Sequence, residues 1–228
     1  MRNLPCFILS RKNSKGLRNK NTYKFLGKPL IQHTIDYAKK TKSITDIIIS
    51  TDDPKVVEIA KKNKCIVIYP RPKKFSNDTA SSFSALYHAA NYMLKNNYDF
   101  EIFSYLQITE PLRPKNILAK CINNLKIDDK INSSFAGFEM KKNFWFQFKR
   151  DYKMISYVGG SNLPRQKRKA IFRQDCGIAL ASRKKVLLNM KKLYANPIKI
   201  VPYSGYEGLL DIHTKKDIFL AKYLKKLI

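Results

Sequence analysis

The chain has 228 residues, 44% of them hydrophobic, enough for one α/β domain with a sizeable core and too many for an intrinsically disordered chain. Lys and Arg number 45 against 17 Asp and Glu, a formal charge of +28 with a pI near 10.0. The lysines are scattered through nearly every segment, which fits a compositional bias and anionic small substrates; a nucleic-acid-binding module is the competing reading.

In chain order, Leu4–Leu9 is a short apolar strand that opens into the polar, cationic loop Ser10–Asn21. A strand running into such a loop is the geometry of a phosphate site at the carboxyl edge of a parallel sheet. Ser14, Lys15 and Gly16 can turn backbone N–H groups inward as an anion nest, while Arg11, Lys15, Arg18 and Lys20 bring cations and Asn21 a directional amide. No Gly-Lys-Ser/Thr closes the loop, so the Walker pattern of ATPases is absent. Pro29 suits a first helical position, with Leu30, Ile31, Ile35 and Ala38 forming one apolar face. Asp46–Ser50 reads as a buried strand, Asp53 and Pro54 as the cap and first residue of the next helix, and Cys65–Tyr69 as a third strand. Two such βα units predict a Rossmann-like, doubly wound and mostly parallel sheet in a single domain over residues 1–228.

An irregular stretch from Pro70 leads into a helix that begins near Ser81 and Ser82 and runs to about Leu94. Its amino end is a second candidate anion or nucleobase contact, although Ser81 can equally act as a helix cap. Glu101–Leu106 reads as a strand, followed by Gln107–Arg113 and a helix from about Pro114. Residues 132–155 turn strand-like and aromatic, predicting a small β-rich insertion or arm. Gly177–Leu180 and Ile198–Val201 read as two more strands with a helix between them, and residues 209–217 open the last helix. There Asp211 and His213, two apart on an extended segment, project to the same side and form a candidate cation pair; Asp217 reads as helix-terminal polarity. Cys6, Cys65, Cys121 and Cys176 show no C-x-x-C spacing and read as reduced thiols. With no charged-then-apolar leader before Leu4 and no membrane-length apolar run, a soluble cytoplasmic protein is expected.

Ser10-Arg-Lys-Asn-Ser-Lys-Gly16 through Lys20-Asn21, with Gly27-Lys-Pro-Leu30, resembles the opening of the acylneuraminate cytidylyltransferases (CMP-sialic acid synthetases). Lys12 and Asn13 stand where that family has two glycines. The resemblance continues at Ser50–Asp53, at Arg71-Pro72 with Asp78–Ser82, at Leu106–Arg113, at Arg165-Gln166 with Phe172–Gly177, and at Leu210–Asp217. It implies transfer of CMP from CTP to the anomeric hydroxyl of a nonulosonic, sialic-acid-like 2-keto sugar acid, with release of pyrophosphate.

By that resemblance Arg11 and Lys20 are the catalytic cations, and Ser10, Arg11, Ser14, Lys15, Asn21, Arg71 and Ser81 hold the nucleotide, with Ser82 a neighbour. Gln107, Arg165, Arg173 and Asp175 would hold the acceptor sugar, Arg165 by its carboxylate. Residues 132–175 would form an acceptor and dimerisation region in a homodimer. Three residues depart from the family: Glu110 replaces serine, Asp175 replaces asparagine, and Phe146 falls where a lysine is expected, with Lys149 the nearest cation. At the Mg²⁺ or Mn²⁺ position the family has two aspartates, and here the second is His213. Asp211 with triphosphate oxygens and water could hold the ion, Glu110 could supply the missing charge, or the metal site could be degraded. The alternatives to a nonulosonic acceptor are Kdo or another sugar acid, or a nucleotide-binding protein of weak turnover.

Overall fold

The computed structural model describes residues 3–12, 14, 16–142, 144–149, 151–155 and 163–226. Strand β1 (Pro5–Ser10) is followed by a short hairpin of β2 (Lys24–Phe25) and β3 (Lys28–Pro29), then by helix α1 (Leu30–Lys40). Strand β4 (Asp46–Thr51), helix α2 (Pro54–Lys62) and strand β5 (Ile66–Ile68) complete the first winding. Helix α3 (Ser82–Lys95), strand β6 (Ile102–Leu106), helix α4 (Ile117–Ile127) and strand β7 (Ser133–Met140) follow. A second hairpin, β8 (Trp145–Phe148) with β9 (Asp151–Met154), precedes β10 (Ile171–Gln174) and β11 (Leu180–Arg183). The chain closes with α5 (Lys184–Leu188), β12 (Ile198–Tyr203) and α6 (Lys215–Leu224).

Eight strands form one sheet in the order β10-β7-β11-β6-β1-β4-β5, with β12 beside β7. The β1/β4, β1/β6, β4/β5 and β7/β12 pairs are parallel, whereas β11 is antiparallel to β6 and β7 and β10 is antiparallel to β7. Alternation along the strands separates two cores. Cys6, Ile8, Ile47 and Ile49 face α1, α2, α4 and α6; Phe7, Ile48, Phe103 and Tyr105 face α3 and α5. Phe7, Phe100 and Phe103 meet edge to face in the second core, with ring centroids 5.8–6.2 Å apart.

Two expected boundaries move for local reasons. Pro29 pairs with Lys24 in the hairpin, so α1 begins at Leu30. Residues 177–179 form a turn closed by Ile178 and Ala179 N–H groups on the Asp175 carbonyl, so the strand expected at Gly177–Leu180 begins only at Leu180. The aromatic stretch divides: buried β7 lies inside the main sheet, and the β8–β9 hairpin alone stands off it, with Lys149 in its turn.

The strand directions fix the site. β1, β4, β6, β7 and β12 all end at one edge of the sheet, and the antiparallel β11 begins there. The loops after Ser10, Thr51, Leu106 and Tyr203, and the turn before Leu180, therefore converge.

Candidate active site

Two adjoining clefts open at this edge. One, of about 270 Å³, is lined by Arg11, Ser14, Lys20, Arg71 and the start of α3. The other, of about 470 Å³, is lined by Glu110, Arg173, Asp175, Gly177 and Asp211. Ser82 and Gln107 line both, so the clefts meet at these two side chains.

In the first cleft both arginines are braced. Arg11 Nη1 lies 2.5 Å from Asp78 Oδ1 and also donates to the Asn77 carbonyl. Arg71 is buried, with Nε donating to Ser76 Oγ at 3.0 Å and Nη2 lying 4.0 Å from Asp52. Burial pulls the Lys20 ammonium below its ordinary pKa, with Asp211 opposing that shift. Asp52 Oδ1 also accepts the Lys12 backbone N–H at 2.7 Å and so pins the loop. Asn21 works within the protein: its amide donates to Ser10 Oγ at 2.8 Å and to the Arg11 carbonyl at 2.9 Å, shaping the loop from beneath. Ser10 is fully buried under that amide, and the cleft lining above it is formed by Leu9 and Arg11. Gly16 is needed for close approach, because a Cβ there would stand 2.5 Å from the His213 carbonyl oxygen. Lys15 and Asn13 lie outside the described residues.

Ser81 is both cap and cleft wall. Its Oγ accepts the Ser84 N–H at 3.1 Å, and its side chain borders the cleft. Asp53 caps α2 as expected, whereas its neighbour Asp52 braces the loop.

In the second cleft Arg113 is the hidden frame. This buried guanidinium donates to the carbonyls of Ile178 (3.0 Å), Gly177 (3.3 Å) and Gln107, and it stacks over Tyr37. The arrangement locks the segment after β6 to the turn before β11, and Gln107 N–H completes it on the Gly177 carbonyl at 2.9 Å. Gly177 gives the two side chains their room, because a Cβ would sit 2.0 Å from Glu110 Oε2 and 2.9 Å from Gln107 Cδ and would displace both. Arg173 and Asp175, expected to hold an acceptor, form a bidentate pair at 2.8 and 2.9 Å. Asp175 also accepts from the Tyr203 hydroxyl, and Arg173 donates to the Gly208 carbonyl, so both are occupied within the cleft wall. Arg165 lies in a single turn, Arg165–Lys167, and its side chain, like that of Phe146, is outside the described part of the structure.

Asp211 and His213 project to the same side, with His213 Nε2 2.9 Å from Asp211 Oδ2. Asp211 lines the second cleft and His213 the first, so the pair spans the junction. Among the described residues no cluster of three His, Cys, Asp or Glu could hold a metal ion. One exposed carboxylate suits a magnesium ion that arrives with phosphate oxygens and keeps several waters; it does not suit a cage made by protein alone. Asp217 completes a capping box with Thr214 and receives the His213 N–H at 2.9 Å, so it serves the helix start. Sequence reasoning missed Asp52 and Asp78 as braces, and Thr109, whose buried Oγ1 has no hydrogen-bond partner and borders the first cleft.

A family model described as cytidylyltransferase matches residues 6–186. The chain belongs to the cytidylyltransferase family. It is 34% identical over 141 residues to a pseudaminic acid cytidylyltransferase of Campylobacter jejuni, an alignment spanning 62% of this chain and 60% of that protein. It is 24% identical over 221 residues to a CMP-N,N'-diacetyllegionaminic acid synthase of Legionella pneumophila, covering 96% and 95% of the two chains. The solved structure of a CMP:2-keto-3-deoxy-manno-octonic acid synthetase complexed with CTP superposes with a TM-score of 0.70 at 17% identity, over 99% of this chain and 98% of that one, and shows the shared fold. Among its described residues the chain has no helix long and apolar enough to cross a membrane.

Proposed function

We propose that this cytidylyltransferase transfers CMP from CTP to the anomeric hydroxyl of a nonulosonic 2-keto sugar acid, releasing pyrophosphate. One observation carries the reading: a cationic cleft and an acceptor-sized cleft meet at Ser82 and Gln107, on the sheet edge where the phosphate-type loop lies. The relatives act, by name, on pseudaminic and diacetyllegionaminic acids, which supports this acceptor class.

Arg11 and Lys20 neutralise charge on the α-phosphate and the leaving pyrophosphate, Ser14, Lys15 and the loop backbone hold the triphosphate, and Arg71 and Ser81 face the nucleoside. A triphosphate outcompetes a single carboxylate for a guanidinium, so Arg11 exchanges Asp78 for phosphate when CTP enters. Gln107 orients the acceptor at the junction, and Arg165 grips its carboxylate. Asp211 would hold a Mg²⁺ or Mn²⁺ ion carried by CTP, which supplies charge neutralisation at the phosphate oxygens. His213 yields its contact with Asp211 on binding. Four free cysteines suit a cytoplasmic enzyme, and the exposed aromatics Trp145 and Phe172 suit a homodimer contact.

The test is pyrophosphate release with CTP and Mg²⁺ or Mn²⁺ across nonulosonic acids and Kdo, with UTP, ATP and GTP as controls. Release that requires CTP and a nonulosonic acid is expected, with Asp211→Ala abolishing it and His213→Asp increasing it at low metal. The His213–Asp211 contact favours one competing reading, a nucleotide-binding homologue of weak turnover. CTP binding with no release across the panel decides for that reading, and absence of CTP binding refutes both.

A further inference from the structure

Glu110 is the carboxylate in the acceptor cleft that the arrangement above leaves without a task. Its Oε2 is enclosed and has no hydrogen-bond partner. The other carboxylates lining that cleft are engaged: Asp175 by Arg173 and Tyr203, and Asp211 by His213. The backbone also fixes its place. Ile212 N–H donates to the Thr109 carbonyl at 2.8 Å, tying the Glu110 segment to the Asp211 segment at the junction of the clefts. Gly177 leaves room for Oε2 where any side chain would collide, and the same opening brings it beside the Gln107 amide, which lines both clefts. An enclosed acceptor without a donor is costly in a folded protein unless a ligand supplies the donor.

We propose that the Glu110 carboxylate takes the proton of the acceptor hydroxyl as that hydroxyl oxygen attacks the α-phosphorus of CTP. The inference rests on the transferase reading above. In this step the acceptor O–H bond breaks and its proton passes to the carboxylate. The freed electron pair forms the new O–P bond, and the bond from the α-phosphorus to the bridging oxygen breaks, its pair leaving on pyrophosphate. Glu110 returns the proton to water once the product leaves.

The electrostatics support this role. Burial pushes the Glu110 carboxyl up to about 8; Arg113 and Arg173 oppose the rise, and Asp211 and Asp175 add to it. Tyr105, Cys176 and Tyr203, which also face it, are held in their neutral forms by burial. A base poised near the working pH combines an available ionised fraction with a useful proton affinity.

The experiment compares wild type, Glu110→Gln and Glu110→Asp with Mg²⁺, CTP and the acid sugar that supports wild-type turnover. It measures kcat across pH and CTP affinity by calorimetry. Glu110→Gln is expected to bind CTP as wild type does, to lose about 100-fold or more in kcat, and to lose the alkaline-rising limb of the pH–rate profile. Glu110→Asp is expected to keep that limb at an intermediate rate. A Gln variant with wild-type rate overturns the proposal, as does one that loses rate but keeps the limb, or that no longer binds CTP. In each of those cases the transferase reading stands, because wild type turns over. A wild type that binds CTP without releasing pyrophosphate overturns the transferase reading and the proposal together.

Discussion

Replacing Glu110 by Gln tests the burial of this carboxyl independently of any substrate. In the unfolded chain the group ionises at its ordinary value of 4.5, while in the folded protein burial raises it to about 8. Between those values the folded state holds one more proton than the unfolded state, so stability falls as pH rises through the window and levels off above it. The slope is ~1.4 kcal/mol for each pH unit, and across pH 5.5 to 8.5 it sums to roughly 3 kcal/mol. The Gln variant has the same shape and no proton to lose, so it lacks this slope. Urea unfolding of both proteins at pH 5.5, 7.0 and 8.5, in chelator to exclude metal, measures the difference. The variant is expected to gain on wild type steadily with pH and to be the more stable protein at pH 8.5. Parallel stability curves would refute the reasoning, because they would mean that Glu110 ionises in the folded state as easily as in water.

Arg113→Met should destabilise the protein by about 3–5 kcal/mol in the same assay, since it strips the donor from three carbonyls at the site, two of them in the turn before β11. A loss under about 1 kcal/mol would show that the guanidinium does not frame the cleft. Gly16→Ala places a methyl 2.5 Å from the His213 carbonyl oxygen, so CTP affinity should fall and stability should drop by about 1–3 kcal/mol. Unchanged CTP binding would disprove that the packing of the loop on the Asp211–His213 segment shapes the nucleotide site. Asp78→Asn weakens a half-exposed pair with Arg11. Because such pairs contribute about 1 kcal/mol or less, CTP affinity measured by calorimetry should rise only a few-fold, and a fall would contradict exchange of Asp78 for phosphate.

The parallel strands were legible because burial on both faces leaves near-continuous apolar runs such as Asp46–Thr51 and Ile102–Leu106. The helix starts at Asp53 and Ser81 were legible because a cap is a contact over two or three residues. Asp52, beside the Asp53 cap, has as its partner the Lys12 N–H, 40 positions back, and no local pattern reports such a contact. The distant partners of Arg113 and Asp175 were hidden in the same way. Beside their local contacts with Gln107 and Arg173, Arg113 reaches carbonyls 64 and 65 residues on and Asp175 accepts from a hydroxyl 28 residues on. The 132–155 stretch misled for a different reason: buried and exposed strands share β-branched and aromatic residues, so composition did not separate β7 from the hairpin.

The net charge of +28 therefore says little about the cleft itself. Fold, not composition, brings a scarce carboxylate to its working cations: Asp78 to Arg11, Asp52 toward Arg71, Asp211 near Lys20. Without such counter-charges, three cations around one small cleft would repel one another and splay the loop. With them, the loop is held in place, and under the proposed function nucleotide binding exchanges weak, partly exposed pairs for a multiply charged ligand. Glu110 is the exception that proves informative, since its nearest compensating charge, Arg113, is spent on three backbone carbonyls. A carboxylate kept in that state is a stability cost at alkaline pH, and its place in the second cleft, beside the Gln107 side chain where the two clefts meet, is what gives the cost a chemical use.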